Sequence, residues 1–116
     1  MTTPFSATLE SLIRLRGVRA SLIVSERDGL VVDENLRYGQ EGERVAALAA
    51  SIYRKARLSA ASARFGSVSF LQLDGENGRV CIAGAGNDLV IVVVADQSAN
   101  VGLIRVDLLK ATQAFQ

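Results

Sequence analysis

The sequence contains no histidine. That removes the commonest general base and the commonest metal ligand together, and with them Ser-His and Cys-His nucleophile pairs within the chain. Cysteine occurs once, as Cys81, so no intrachain disulfide can form, which fits a reducing compartment. No Gly-Lys-Ser or Gly-Lys-Thr triplet is present, which excludes a Walker-type phosphate loop. The longest charge-free apolar run, Leu89 to Ala95, is bounded by Asp88 and Asp96 and falls far short of the roughly 20 residues that span a bilayer. Near the N-terminus, Glu10, Arg14 and Arg16 interrupt any apolar segment of the kind a secretion leader needs. These absences predict a soluble cytoplasmic protein with no membrane insertion. A basic cluster is also missing. The 13 basic and 12 acidic side chains are scattered, and the densest group, Arg54-Lys55-Arg57, is small, so nucleic acid is excluded as a partner.

What is present is the composition of a folded domain. Hydrophobic residues make up 49% and charged residues 22%, far from the disordered range, and 116 residues fit a single domain spanning 1–116. Residues 3–16 read as a helix, with Thr3 as cap, Pro4 in the first turn and Gly17 at the exit. From Val18 to Glu34, alternation around Asp28-Gly29 predicts a two-strand hairpin, with Val18, Ala20, Leu22 and Val24 on one face. A second helix runs to about Ala61, with Val45, Leu48, Ile52 and Ala56 as its core stripe and an alanine-rich strip beside it. Phe65 to Leu73 alternates as a strand. Asp74 to Gly78 marks a reversal, Arg79 to Gly84 a strand, and Leu89 to Ala95 a strand apolar at every position, hence covered on both faces. Ser98 or Asn100 caps a last helix whose stripe is Val101, Ile104, Leu108, Ala111 and Phe115. The expected fold is α/β (α+β), in the order α-β-β-α-β-β-β-α, with a five-stranded mostly antiparallel sheet and helices on both faces.

Few residues invite a chemical role. Gly84-Ala85-Gly86 meets two positions of a dinucleotide fingerprint, but Leu89 stands where the third glycine belongs and a strand follows instead of a helix. The glycines therefore read as turn chemistry. Asp33 and Glu34 are adjacent on a strand and point to opposite faces, while Asp74, Glu76 and Asp88 lie in turns, so no carboxylate pair converges on a catalytic or metal site. Cys81 reads as a small buried hydrophobe. No catalytic residue, metal site or cofactor site is assigned, and the chain is not expected to be an enzyme.

Two features predict an interface. The strand Phe65 to Leu73 carries no proline and no charge between Arg64 and Asp74, and its place at the start of a meander puts it at a sheet edge that a monomer would blunt. The alanine strip of the second helix, beside Tyr53, suits close approach of another backbone. Both point to a symmetric homodimer, edge to edge and helix beside helix, through Ala46, Ala49, Ala50 and Tyr53 and through Ser67, Val68, Ser69, Phe70 and Leu71. On that reading, Ala49→Glu weakens the dimer.

The segments 17-GVRASLIVSERDGLVVDE-34, 44-RVAALAASIYRKA-56 and 77-NGRVCIAGAGNDLVIVVVADQSANVGLIR-105 resemble, in order and over nearly the whole chain, the roadblock / dynein light-chain family, and within it the bacterial MglB type. Arginine outnumbers lysine eleven to two, which likewise points to a bacterial source. The resemblance implies a roadblock, profilin-like architecture and a homodimer joined through the second helix and third strand. It implies a non-catalytic regulator or scaffold that binds a small Ras-like GTPase of the MglA type and modulates its nucleotide cycle without an arginine finger, by repositioning the GTPase's own switch residues. By position, the GTPase would meet Glu43, Arg44, Ala47, Ser51, Arg54 and Lys55. Some MglB proteins carry terminal extensions that these residues lack, so the resemblance extends to GTPase binding and leaves activation open. Two alternatives stand beside this reading: a small-ligand-binding sensor of profilin or PAS type, which needs an internal cavity, and a purely structural dimerisation module.

Overall fold

The structure, a computed structural model, describes residues 3–115. Helix α1 (Ser6–Ile13) is followed by strands β1 (Val18–Ser25) and β2 (Val31–Leu36), helix α2 (Gly42–Ser62), strands β3 (Leu71–Gly75), β4 (Gly78–Gly86) and β5 (Leu89–Ala95), and helix α3 (Val101–Gln113). The strands form one sheet in the order β2-β1-β5-β4-β3, antiparallel at every pairing. The most apolar strand, β5, is thus the central one, as its composition demands. One face of the sheet packs on α1 and α3 around Leu9, Leu12, Ile23, Cys81, Ile91, Val93, Ile104 and Leu108. The other packs on α2 around Leu22, Val24, Ile82, Val90 and Val92.

Local chemistry sets the connections. Helix α1 begins three residues after Thr3, because the Thr3 hydroxyl oxygen accepts from the Phe5 N–H (3.2 Å) and the Thr3 carbonyl from the Ser6 N–H (3.2 Å), a turn that precedes the helix. Arg37 donates to the carbonyls of Val18 (3.0 Å) and Ile13 (2.9 Å), and the Ser21 hydroxyl donates to Leu9 O (2.9 Å), tying α1 to the hairpin. The register of β1 slips between Val18 and Ala20, so Val18 faces α1 and α3 while Ala20, Leu22 and Val24 face α2. The four do not share one face, because a bulge flips the alternation at Arg19. Of the two residues fit to cap α3, Asn100 does so: its side chain accepts from the Leu103 N–H (3.1 Å).

Strands β4 and β5 meet in a two-residue turn in which Asn87 (φ 53°) and Asp88 (φ 62°) are both left-handed, the geometry that matches the twist of a hairpin. Gly84 has a different task. A Cβ there would overlap the Tyr53 hydroxyl, so glycine is what lets α2 approach β4.

Strand β3 is shorter than its sequence implies. It pairs with β4 only from Leu71 opposite Ile82 to Gly75 opposite Gly78, and residues 65–70 lie outside the ladder. Beyond Ile82, β4 bulges between Gly84 and Gly86, and the Tyr53 hydroxyl donates to Val68 O (2.9 Å). Phe70 turns toward the α3 layer, with the Arg105 guanidinium 5.0 Å from its ring centre.

Candidate functional site

Helix α2 carries the residues on which interaction readings converge, and its sequence divides into strips by their angle about the axis. At about 100° per residue, Ala46, Ala49, Ala50 and Tyr53 form one strip, and Val45, Leu48, Ile52 and Ala56 the strip next to it. The alanine strip is the one that meets the sheet: Ala46 and Ala49 are wholly buried, and Ala50 and Tyr53 nearly so, within the single chain. This corrects both expectations for the helix. Ala46, Ala49, Ala50 and Tyr53 are core residues closed off by their own sheet and cannot form a dimer contact, and Leu48 of the supposed core stripe is exposed (47%). The physical reason is volume. The floor of Leu22, Val24, Ile82, Val90 and Val92 already fills the layer, so the helix must present small side chains to come down onto it. Burial also pushes the Tyr53 phenol up from its ordinary range.

The displaced aliphatic strip faces sideways toward the β3 edge. Val45 and Leu48 line an apolar groove of about 180 Å³ with Leu73, Val80 and Val94, and Gly75, Gly78 and Arg79 also border it. Among the β3 residues expected at the edge, Ser67 and Ser69 are exposed while Val68, Phe70 and Leu71 are half-buried. Only Leu71 lies within the strand itself. Sequence reasoning missed Leu48 and Leu73 as exposed residues, whereas Val45 and Ile52 of the expected core stripe are half-buried and pack against the margin of the core. The available signal was that both strips of α2 are apolar, which gives an arc too wide for a single sheet contact.

The six residues expected to meet a partner, Glu43, Arg44, Ala47, Ser51, Arg54 and Lys55, fall on one continuous arc of about 120° that begins beside the aliphatic strip and turns away from it. All are exposed except Arg54, which is half-buried. Its guanidinium donates to the carbonyls of Glu26 and Arg27 (2.7 Å to the latter), so it anchors the β1–β2 turn as well as facing outward. Beside it, Arg57 donates twice to one carboxylate oxygen of Glu26 (3.0 and 2.9 Å).

Little else on the surface offers chemistry. Among the described residues, no group of three or more Cys, Asp or Glu side chains could hold a metal ion. Cys81 is fully buried and its thiol is pushed up to about 11, chiefly by burial and then by the Asp74 carboxylate, so it is an inert core residue. No helix among the described residues is long and apolar enough to cross a membrane.

Comparison with known proteins places this arrangement in a family. The Roadblock/LC7 domain matches residues 5–95. A relative from Methanocaldococcus jannaschii, an uncharacterized protein, is 31% identical over 108 residues, covering 93% of each chain. The fold is similar to that of MglB from Myxococcus xanthus (TM-score 0.84, 18% identity, 97% of this chain and 91% of that one). It is equally similar to the gliding protein MglB of Thermus thermophilus (TM-score 0.83, 20% identity, 99% and 90%). The chain belongs to the Roadblock/LC7 domain family, and its fold is that of the bacterial MglB structures. Because the sequence relative is archaeal and the structural ones bacterial, the excess of arginine over lysine does not decide the source.

Proposed function

We propose that this chain is a homodimeric, non-catalytic regulator or scaffold that binds a small Ras-like GTPase of the MglA type in the cytoplasm and modulates its nucleotide cycle. One observation carries the reading. The β3 edge and the neighbouring aliphatic strip of α2 form a continuous apolar surface, with Leu48 and Leu73 exposed, that a single chain leaves uncovered. A second copy related by a two-fold axis covers both at once, pairing β3 with β3 and setting the Val45, Leu48 and Ile52 strip against its twin. The interface then comprises that strip together with Ser67, Val68, Ser69, Phe70 and Leu71, and a strand pair plus a helix pair approaches the roughly 800 Å² per partner of a stable complex.

Pairing through the strip leaves the part of the arc that turns away from it, around Glu43, Ala47, Ser51 and Arg54, open on each copy for the GTPase, with Arg44 and Lys55 at the border. No cofactor is needed. The chain acts by binding one nucleotide state better than the other, which shifts the GTPase between its conformations. The likeness to MglB structures supports the assembly, and the family match supports the regulatory role. A small-ligand sensor is disfavoured because bulky aliphatics fill both layers of the core, and a cleft of about 460 Å³ between α1 and α3 opens to solvent.

The test has two stages. Light scattering at micromolar concentration is expected to give a dimer, and a clean monomer removes the geometry on which GTPase binding depends. A pull-down against the small GTPases of the source genome, loaded in turn with GTP and GDP, is expected to recover one of them with a preference for one nucleotide. Recovery of none sinks the regulatory reading.

A further inference from the structure

Three guanidinium groups converge where the C-terminal half of α2 meets the tips of two hairpins. Arg27 comes from the β1–β2 turn and Arg54 and Arg57 from α2, and with Glu26 and Asp88 they line a surface cleft of about 200 Å³. The hairpin tips are locked to each other by the Glu26 N–H, which donates to Asp88 O (2.8 Å). Two of the arginines are held rigidly. Arg57 grips the Glu26 carboxylate through Nε and Nη2, and that carboxylate is only 12% exposed. Arg54 is fixed through Nη2 on the carbonyls of Glu26 and Arg27. A guanidinium has five N–H donors, so both keep donors that these bonds do not use. The third, Arg27, is loose: it is 83% exposed and lies 3.9 Å from an Asp88 carboxylate that is itself 66% exposed.

We propose that this cleft receives a carboxylate-bearing segment of a partner protein, which pairs with the fixed edges of Arg54 and Arg57 and takes Arg27 from Asp88. Charge favours such an occupant. Between Glu43 and Asp74 the chain has no acidic residue but carries Arg44, Arg54, Lys55, Arg57 and Arg64. Geometry favours a protein carboxylate over a polyanionic surface. A fixed guanidinium pairs with a planar carboxylate in a set direction, and because it is already ordered it loses little entropy on binding. Glu26 and Asp88 neutralise two of the three positive charges, which leaves too little excess for the diffuse attraction that lipid surfaces and nucleic acids exploit. The inference rests on the α2 partner face proposed above, since Arg54 belongs to both, and it identifies where on that face an acidic segment is read.

The test uses the full chain and no GTPase, so its failure is distinct from failure of the regulatory reading. A blocked peptide of alternating Glu and Asp is titrated into nitrogen-15-labelled protein while the arginine Nε–H resonances are followed. Shifts confined to Arg27, Arg54 and Arg57 are expected. Arg27→Glu is expected to weaken binding about fivefold, the scale of one exposed ion pair. Asp88→Asn is expected to strengthen it by a similar factor, because it removes the competing carboxylate at a left-handed position that asparagine tolerates. Both side chains are exposed, so neither change disturbs the core. Shifts spread evenly over the arginines overturn the proposal. So does an Asp88→Asn variant that binds the peptide no better, or an equal response to inorganic phosphate or to phosphatidylglycerol vesicles.

Discussion

Helix α2 presents two apolar strips one residue out of phase, and the smaller side chains occupy the inside. Ala46, Ala49 and Ala50 are sealed against the sheet, while Val45, Leu48 and Ile52, with far more apolar surface to hide, stay half-covered or exposed. Transfer energy alone would reverse this, since burying a leucine rather than an alanine gains on the order of 2 kcal/mol. Close packing decides instead: over a sheet floor of valine, leucine and isoleucine the helix presents alanines, and its one large inward side chain, Tyr53, is admitted by the missing side chain of Gly84. The two sheet edges repeat the contrast. Edge strand β2 carries Asp33 and Glu34 and a register slip opposite Ile23 and Val24, devices that discourage pairing. Edge strand β3 with the segment before it has no charge from Phe65 to Leu73. Apolar surface left outside the core is thus gathered on one side of the molecule, beside the one unguarded edge.

The contrast between strips is broken most severely at Ala49. Ala49→Glu places a carboxylate with no partner in a fully buried position. A loss of at least about 3 kcal/mol is expected in chemical denaturation, with the chain unfolding rather than a folded dimer separating. A loss below about 1 kcal/mol would mean that α2 is not seated on its alanines.

Gly84 tests the same seat from below. In Gly84→Ala the new methyl overlaps the Tyr53 hydroxyl, which is itself committed to Val68 O, so about 2 kcal/mol is expected to be lost. Tyr53→Phe alone is expected to cost about 1 kcal/mol for the lost hydrogen bond. The double variant should recover part of the Gly84→Ala loss, because the overlapping oxygen is gone. Strict additivity in the cycle would show that the two residues do not meet.

At Leu48 the prediction changes kind. Leu48→Glu lies on an exposed part of the chain, so its stability is expected to stay within about 0.5 kcal/mol of the parent. Two copies of the charge would face each other across the proposed two-fold axis, and the dimer dissociation constant is expected to rise at least about tenfold, or 1.4 kcal/mol. Analytical ultracentrifugation reads this directly. An unchanged dimer would move the interface off the aliphatic strip.

Much of this was legible before any coordinates. The bounds of β5, Leu89–Ala95, follow from an unbroken apolar run between two aspartates, and the hairpin before it from Gly86-Asn87-Asp88. Periodicity also located the three helices, while the arc from Glu43 to Lys55 came from the family resemblance alone. It did not reveal which α2 strip faces inward, because both are apolar at helical spacing and the choice depends on the volume of a floor built from three distant strands. Nor could it place the start of β3. Alternation runs on through residues 65–70, but the ladder ends where β4 bulges and Tyr53 takes the Val68 carbonyl. Arg54 read as a surface charge because nothing local announces its bonds to carbonyls 27 and 28 residues away.

The opposite layer supplies the mildest test, and it reads how well the sheet is sealed away from α2. Cys81 points toward α1 and α3, and its thiol is held up to about 11 against an ordinary value of 9.0. Between those values the folded chain keeps the proton while the unfolded chain has lost it. Stability is therefore unaffected below about pH 9 and falls as pH rises toward 11, at up to about 1.4 kcal/mol per pH unit. The Tyr53 phenol, also raised, contributes in the same direction at the alkaline end. Cys81→Ala is the control that separates them: it should flatten the decline between about pH 9 and 10 in urea denaturation and leave the phenol's share in place. If parent and variant lose stability along the same curve, the layer beneath α1 and α3 is open to water, and the two faces of the sheet differ less in sealing than the burial of Cys81 implies.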